Sequence, residues 1–298
     1  MRHRRLVTLG RAGAGHEQAA SGRDRVSVED SRSQGFVQVS VPEGYERFLL
    51  YQLFEPWAAE LVSRAGLQPG WSVLDVASGP GPVARLAATA VGPGGRVVAS
   101  DISEPMLALA AARPAPAGAA PIEFVACPAS QTGAPDDGFD AVLCQHGLQF
   151  FADKRTAALE MRRVARPGGI AVVSTWAAER PLGLFAPMGE TLAELGVAEP
   201  YPRAFDADSY RLGASDLADL LRTSGWRDVR VETVELDATW DSADQAADTV
   251  AGTPFGPLVS AVPAQVQDQV RARLITRLGG SKDGVTVRTA SNIARGVK

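Results

Sequence analysis

The chain has 298 residues, 45% of them hydrophobic and 21% charged, with a formal net charge of −4. That length can bury a complete α/β core, and the mildly acidic balance argues against nucleic acid as the main partner. Cys127 and Cys144 show no C-x-x-C spacing, so neither a disulfide framework nor a metal site is indicated. No apolar run is long enough to span a membrane, and the expected location is the cytoplasm.

Residues 1–40 are polar, with glycine, serine and scattered arginine and no helical or strand period. They read as a disordered tail, or as an arm that orders over a partner subunit. Residues 41–66 read as a helical cap. Tyr45, Phe48, Leu49, Phe54, Trp57, Leu61 and Val62 recur at three- and four-residue steps, and Pro56 ends or kinks one helix and opens the next. Tyr45 and Phe54 are candidates to face a ligand cavity; core packing is the alternative.

Val73-Leu74-Asp75-Val76 is a short apolar strand carrying one carboxylate, and Ala77-Ser78-Gly79-Pro80-Gly81 turns tightly after it. Pro82 then opens an alanine-rich helix. Such a turn leaves room for a ligand against the main chain, and the helix N-terminus offers unpaired N–H groups to it. Twenty residues on, Arg96-Val97-Val98-Ala99-Ser100-Asp101 reads as a second strand ending in an acid, placed to accept hydrogen bonds from ribose hydroxyls. A nucleoside-bearing cofactor is therefore expected. Gly79-x-Gly81-x-x-Ala84 also satisfies a dinucleotide fingerprint, so an NAD-dependent oxidoreductase is a rival reading. Against it, Pro80 and Pro82 lack the N–H groups a pyrophosphate would use.

Strands near 72–77, 96–101, 121–126, 139–145 and 169–176 alternate with helices near 82–91, 103–113 and 153–166. The alternation predicts a mostly parallel sheet with helices on both faces. Ser103 and Asp153 are expected helix N-caps. Residues 177–212 lose the alternation and carry Pro181, Phe185, Met188, Tyr201 and Phe205, as expected of an inserted cap. A helix near 215–225 with Ser215 as its N-cap follows, then a strand near 229–236. Broken helices are expected through 241–279, within a second insertion near 238–280, and a last strand near 285–293.

Four segments in order resemble the class I S-adenosylmethionine-dependent methyltransferases, in their small-molecule ubiquinone/menaquinone C-methyltransferase-like branch. Asp75-Val76-Ala77-Ser78-Gly79-Pro80-Gly81 is similar to the family's acid and glycine signature. Asp101-Ile102-Ser103 with Met106-Leu107 resembles its ribose-binding strand end and following helix. Phe139–Phe151 resembles its fourth strand and turn, and Glu160–Gly169 its arginine-rich helix and Pro-Gly-Gly turn. Ala77 replaces the first signature glycine. Pro128 stands where an acid commonly meets the adenine, leaving Ser130 or a backbone carbonyl to serve.

The resemblance implies a Rossmann-like, doubly wound, mostly parallel seven-stranded sheet with an antiparallel C-terminal hairpin, the core running over 67–298. It implies S-adenosyl-L-methionine as cofactor, with S-adenosyl-L-homocysteine as product. Asp75, Ala77, Ser78, Gly79, Gly81, Asp101, Ile102, Met106, Ala129, Ser130 and Gln145 would bind it. Tyr45, Phe54, His146, Phe150, Trp176 and Phe185 would line the acceptor site. The acceptor expected is a small, partly apolar molecule such as a natural-product intermediate of secondary metabolism. No metal is expected, and a homodimer is one admissible assembly.

His146 follows the fourth strand and is a candidate general base, since an unperturbed imidazole titrates near neutrality. A wall residue that merely shapes the pocket is the alternative. Beyond methyl transfer, a cofactor-retaining cyclase or isomerase and a non-catalytic binding subunit remain open at this stage.

Overall fold

A computed structural model describes residues 49–180, 183–198, 212–253, 255–279 and 284–298. The tail over 1–40, Tyr45, and the cap positions Pro181, Tyr201 and Phe205 lie outside the described residues.

The described chain opens with a π-helical turn, Leu50–Phe54, that runs directly into α1, Glu55–Ala65. Pro56 sits in the first turn of α1, where its missing N–H costs nothing. Gly66 closes the helix in the left-handed conformation. Then follow β1 (Ser72–Val76), α2 (Pro82–Val91), β2 (Arg96–Asp101), α3 (Glu104–Ala112), β3 (Ile122–Ala126) and β4 (Phe139–Gln145). Next come α4 (Lys154–Val164), β5 (Ala165–Trp176), α5 (Phe185–Glu194), α6 (Ala214–Thr223) and β6 (Arg227–Trp240). The chain ends with α7 (Ala243–Asp248), α8 (Gly256–Ser260), α9 (Ala264–Arg277) and β7 (Val285–Val297).

The strands form one seven-stranded sheet in the order β3-β2-β1-β4-β5-β7-β6. β1 to β5 pair in parallel, and β7 is antiparallel to both β5 and β6. The expected Rossmann-like sheet with its C-terminal hairpin is therefore present. Alternate residues of the central strands feed two cores. Val73, Val97, Ala99, Leu143 and Val172 face the core of α1 and α2, and Leu74, Val76, Val98, Val142 and Val173 face that of α4 and α6. A strand buried on both faces reads as a near-continuous apolar run, as Val73–Val76 does around Asp75.

Several element ends need correction: β6 and β7 run on to Trp240 and Val297, beyond the expected 236 and 293, and two further ends differ for reasons the contacts show. β5 starts at Ala165 and not near 169. Ala165 pairs with Phe139 across a register shift, while Gly168 and Gly169 are clamped by Lys298 through N–H···O contacts of 3.1 and 2.9 Å. The Pro-Gly-Gly turn is thus drawn into the strand. The N-cap of α6 is Gly213 and not Ser215, because the first N–H of the helix, that of Ala214, donates to Glu179 Oε1 at 2.8 Å. Ser103 and Asp153 do cap α3 and α4, accepting from Met106 N at 3.4 Å and Thr156 N at 2.8 Å.

β1 lies between β2 and β4, so strand order reverses there. A ligand crevice is expected beyond the C-terminal ends of these strands.

Candidate active site

The crevice exists as a cavity of about 410 Å³. Its floor comes from the ends of the parallel strands. Ala77 and Gly79 follow β1, Ser100 to Ile102 end β2, Cys127 to Ser130 follow β3, and Gln145 and His146 end β4. Phe54 of the π-helical turn, Trp176 at the end of β5, and Phe185 of α5 wall the other side, with Phe150 and Phe151 between.

Asp101 holds one side of the cavity together. Its Oδ2 accepts from Gly79 N at 2.8 Å, and its Oδ1 accepts from Ser103 N at 2.8 Å. Burial raises its pKa, and these two N–H groups with that of Ile102 oppose the rise. Each oxygen keeps a lone pair for a further donor. Ile102 beside it is 55% exposed, an apolar side chain left uncovered at the cavity edge. Gly79 has a φ of +53°, and a Cβ there would meet nothing within 4 Å, so the turn leaves open space toward the cavity.

The same turn does not fit a pyrophosphate. Ser78 N donates to Ser100 O at 2.9 Å, Gly81 N to Ser78 O at 2.9 Å, and Gly79 N to Asp101. Pro80 and Pro82 have no N–H. The N-terminus of α2 points Ala84 N–H toward the Asp75 carboxyl rather than at a ligand. That contact falls short of hydrogen-bonding geometry: both Asp75 oxygens are buried without a hydrogen-bond partner. Desolvation raises the Asp75 pKa well above the carboxylate range, and Ala84 N–H only partly opposes it.

Three expected cofactor residues therefore stand elsewhere. Asp75 is 1% exposed and lies under the turn, not in the cavity. The Ser78 backbone is used in turn contacts and its buried hydroxyl has no hydrogen-bond partner, and Gly81 is wedged against α3, where a Cβ would lie 3.2 Å from Ala110 Cβ. Ala77, Gly79, Asp101, Ile102, Met106, Ala129, Ser130 and Gln145 do share the cavity. So do Phe54, His146, Phe150, Trp176 and Phe185. Pro128 lines it as well, and its carbonyl accepts from Gln131 N at 3.0 Å in a turn that leaves Ser130 exposed at the rim.

His146 sits at the inner end. It adopts a left-handed φ of +50° and is 4% exposed. Its ring stacks on Trp176 with centroids 3.8 Å apart, and Phe54 and Trp57 meet it edge-on at 6.1 and 5.7 Å. Nε2 is 2.7 Å from Ser291 Oγ, and Nδ1 has no partner. Burial pushes its pKa down to about 3. Burial thus favours the uncharged imidazole at neutral pH and weakens it as a proton acceptor. Gln145 Nε2 donates to Phe54 O at 2.9 Å, tying β4 to the π-helical turn, and Gln149 Oε1 accepts from Trp176 N at 2.8 Å.

Sequence reasoning missed Gln149, Gly252 and Thr253, which also line the cavity, and Ser291 behind His146. Gln149 stood within the recognised Phe139–Phe151 segment and could have been found by its place in the turn. The other three come from distant chain and carry no local signal. Among the described residues no cluster of His, Cys, Asp and Glu could hold a metal, and no helix is long and apolar enough to cross a membrane.

Residues 74–173 match the family model of a methyltransferase domain. Over 121 residues the chain is 38% identical to the ubiquinone/menaquinone biosynthesis C-methyltransferase UbiE of Burkholderia mallei strain SAVP1, covering 41% of this chain and 49% of that protein. The chain thus spans about half the length of the curated relatives it matches. Among solved structures, phosphoethanolamine N-methyltransferase 2 of Haemonchus contortus, in complex with S-adenosyl-L-methionine, superposes with a TM-score of 0.60 at 18% identity, over 92% of this chain and 60% of that one. The [4+2]-cyclase SpnF superposes with a TM-score of 0.51 at 19% identity, over 81% and 80%. These two likenesses concern the fold. Residues 74–173 thus match a methyltransferase domain in sequence, and the seven-stranded sheet shares the fold of solved proteins, one of them holding S-adenosyl-L-methionine. The Asp101 carboxylate, the open Gly79 turn and the apolar edge at Ile102 and Met106 fit that cofactor's ribose, amino-acid portion and adenine.

Proposed function

We propose that this chain transfers a methyl group from S-adenosylmethionine to a small, partly apolar acceptor. The observation that carries the reading is Asp101, held by Gly79 N and Ser103 N at the end of β2, in the same cavity as an aromatic wall. When bound, the cofactor supplies an electrophilic methyl carbon, whose bond to sulfur breaks as an acceptor lone pair attacks, leaving S-adenosylhomocysteine. The chain's own contribution is placement and exclusion of water. Asp101 orients the ribose. The turn at Gly79 seats the amino-acid portion, and Phe54, Trp176 and Phe185 close the acceptor half.

Calorimetric titration of S-adenosylmethionine, S-adenosylhomocysteine and NAD tests this, repeated with Asp101→Ala. Binding of both sulfur nucleosides, lost in the variant, and no binding of NAD is the expected result. Binding of neither overturns it. Product mass separates transfer, which adds a methylene to the acceptor, from a cyclisation, which adds nothing.

A further inference from the structure

The chain between β3 and β4, residues 127–138, has no helix or strand of its own. Four of its residues, Cys127 to Ser130, nonetheless line the cavity that Asp101 also lines. An irregular segment keeps one shape only where other elements fasten it. Its near end is tied to β2, where Cys127 N donates to Asp101 O at 3.0 Å. A turn follows, closed by Gln131 N donating to Pro128 O at 3.0 Å. The far end of the turn is Thr132, which alone among residues 127–137 is buried.

Thr132 is held from α4. Glu160 Oε1 accepts from Thr132 N at 2.8 Å and from Thr132 Oγ at 2.7 Å. Arg163 closes the other side of the carboxylate, its Nη2 donating to Oε1 at 2.8 Å and its Nε to Oε2 at 2.7 Å. Nη2 carries a second hydrogen, and it reaches back to the same loop, to Ala134 O at 2.8 Å. The Glu160 side chain is 10% exposed, so an unpaired carboxylate there would be costly. The bonds from Arg163 and Thr132 outweigh burial and hold its pKa down to about 2. Glu160 is not among the residues lining the cavity, but Asp153 and Ala157 are. Asp153, Ala157 and Glu160 recur at four- and three-residue steps, which sets them in one row along the helix. The row touches the cavity directly at its start and, a turn later, grips the segment that walls it.

We propose that Glu160 is a positioning residue for the cofactor: by gripping Thr132 it presets the turn over 128–131, so that S-adenosylmethionine meets a wall already formed on the Asp101 side. A ligand that had to order this turn itself would lose part of its binding free energy in doing so. The role in cofactor binding rests on the methyl-transfer reading; the grip of Glu160 on the turn does not.

Two measurements test it. The first is amide hydrogen exchange without ligand, read by mass spectrometry over peptides spanning 128–134. Thr132→Val removes the hydroxyl, which donates to Glu160 and accepts from Ala134 N at 3.3 Å, at nearly constant shape; Thr132→Ser keeps it. Exchange about fivefold faster in Thr132→Val, and within about twofold of the unaltered protein in Thr132→Ser, is the expected result. Equal rates in all three overturn the grip. The second is calorimetric titration of S-adenosylhomocysteine into the same proteins and into Glu160→Gln, at a temperature where each is folded. Affinity about fivefold lower is expected in Thr132→Val and in Glu160→Gln, and within about twofold in Thr132→Ser. Undiminished affinity in Thr132→Val or Glu160→Gln overturns the positioning role, since a merely structural bond moves the melting temperature and not the affinity. A loss in Thr132→Ser as large as in Thr132→Val overturns it too. Either of the two disruptive substitutions decides the matter if the other does not fold. Failure of S-adenosylhomocysteine to bind the unaltered protein would instead overturn the methyl-transfer reading and leave the exchange result standing.

Discussion

The His146 imidazole lies almost parallel to the Trp176 indole, with 3.8 Å between centroids and 12° between planes. The stack excludes water from a group that, in an unfolded chain, titrates near 6.5. In the folded protein burial lowers its pKa to about 3. As pH falls below 6.5 the unfolded chain takes up a proton that the native state refuses, down to about pH 3. Native stability from this group is complete above 6.5 and is lost progressively toward 3. Urea unfolding at pH 7.5 and pH 5 checks this: the midpoint of the unaltered protein should fall more than that of His146→Gln. Asp75 and Asp101, which titrate higher in the fold, act in the opposite direction but equally in both proteins. Parallel declines would contradict the prediction.

Gly79 and Gly81 should respond differently to alanine, although both have positive φ. At Gly81, with φ +81°, the new Cβ meets Ala110 Cβ at 3.2 Å, so strain adds to crowding between α2 and α3. Gly81→Ala should cost about 1–3 kcal/mol of stability. At Gly79 the Cβ meets no protein atom, and Ala77 two residues earlier already tolerates φ 56°. Gly79→Ala should cost only about 1–2 kcal/mol yet weaken S-adenosylhomocysteine binding severalfold, because the methyl occupies the open side of the turn. Thermal melts and calorimetry on the pair separate the two roles.

Asp75 is a buried carboxyl whose ionisation nothing fully compensates. Its pKa is raised in the fold, so the stability linked to its protonated form is present at low pH and is lost as pH rises through that raised value. Asp75→Asn keeps the shape and removes the charge. The melting temperature of the variant, relative to the unaltered protein, should therefore be higher at pH 8 than at pH 5. A difference independent of pH would mean that Asp75 is ionised in the fold across this range, its charge compensated by groups such as Ala84 N–H.

Much of the architecture was legible because it is written in local pattern. The apolar run at Val73–Val76, the proline opening α2 and the caps Ser103 and Asp153 each specify their element from neighbouring residues. The strand-end acid Asp101 was legible for the same reason. What was not legible depends on distant pairing. Ser215 is as good a capping residue as Ser103, yet Glu179 reaches across to Ala214 N and starts α6 a residue sooner. Gly169 reads as a strand start until Lys298 pairs with it. Asp75 was expected at the ligand from the resemblance of its segment to a glycine-rich signature, but side chains alternate along a strand, and this one points into the turn's underside. His146 lines the cavity as expected, but its burial and its stack on Trp176 carry no local signal in the sequence.

Gln145 joins the two halves of the cavity, because its Nε2 donates to the carbonyl of Phe54 at 2.9 Å. Phe54 ends a π-helical turn, an irregular element held in place by few backbone bonds of its own. Gln145→Leu removes the tether while leaving the Gln145 main chain in place. The lost hydrogen bond is worth about 1 kcal/mol, which corresponds to about fivefold in affinity. The variant should therefore bind 2-naphthol, a small aromatic probe of the acceptor half, about fivefold more weakly, through loss of a fixed Phe54 wall, and bind S-adenosylhomocysteine within about twofold of the unaltered protein. Calorimetry of both ligands on one preparation makes the comparison internal. If S-adenosylhomocysteine binding collapses and 2-naphthol binding does not, the Gln145 side chain serves the cofactor directly, and the division of the cavity into two halves at this residue is wrong.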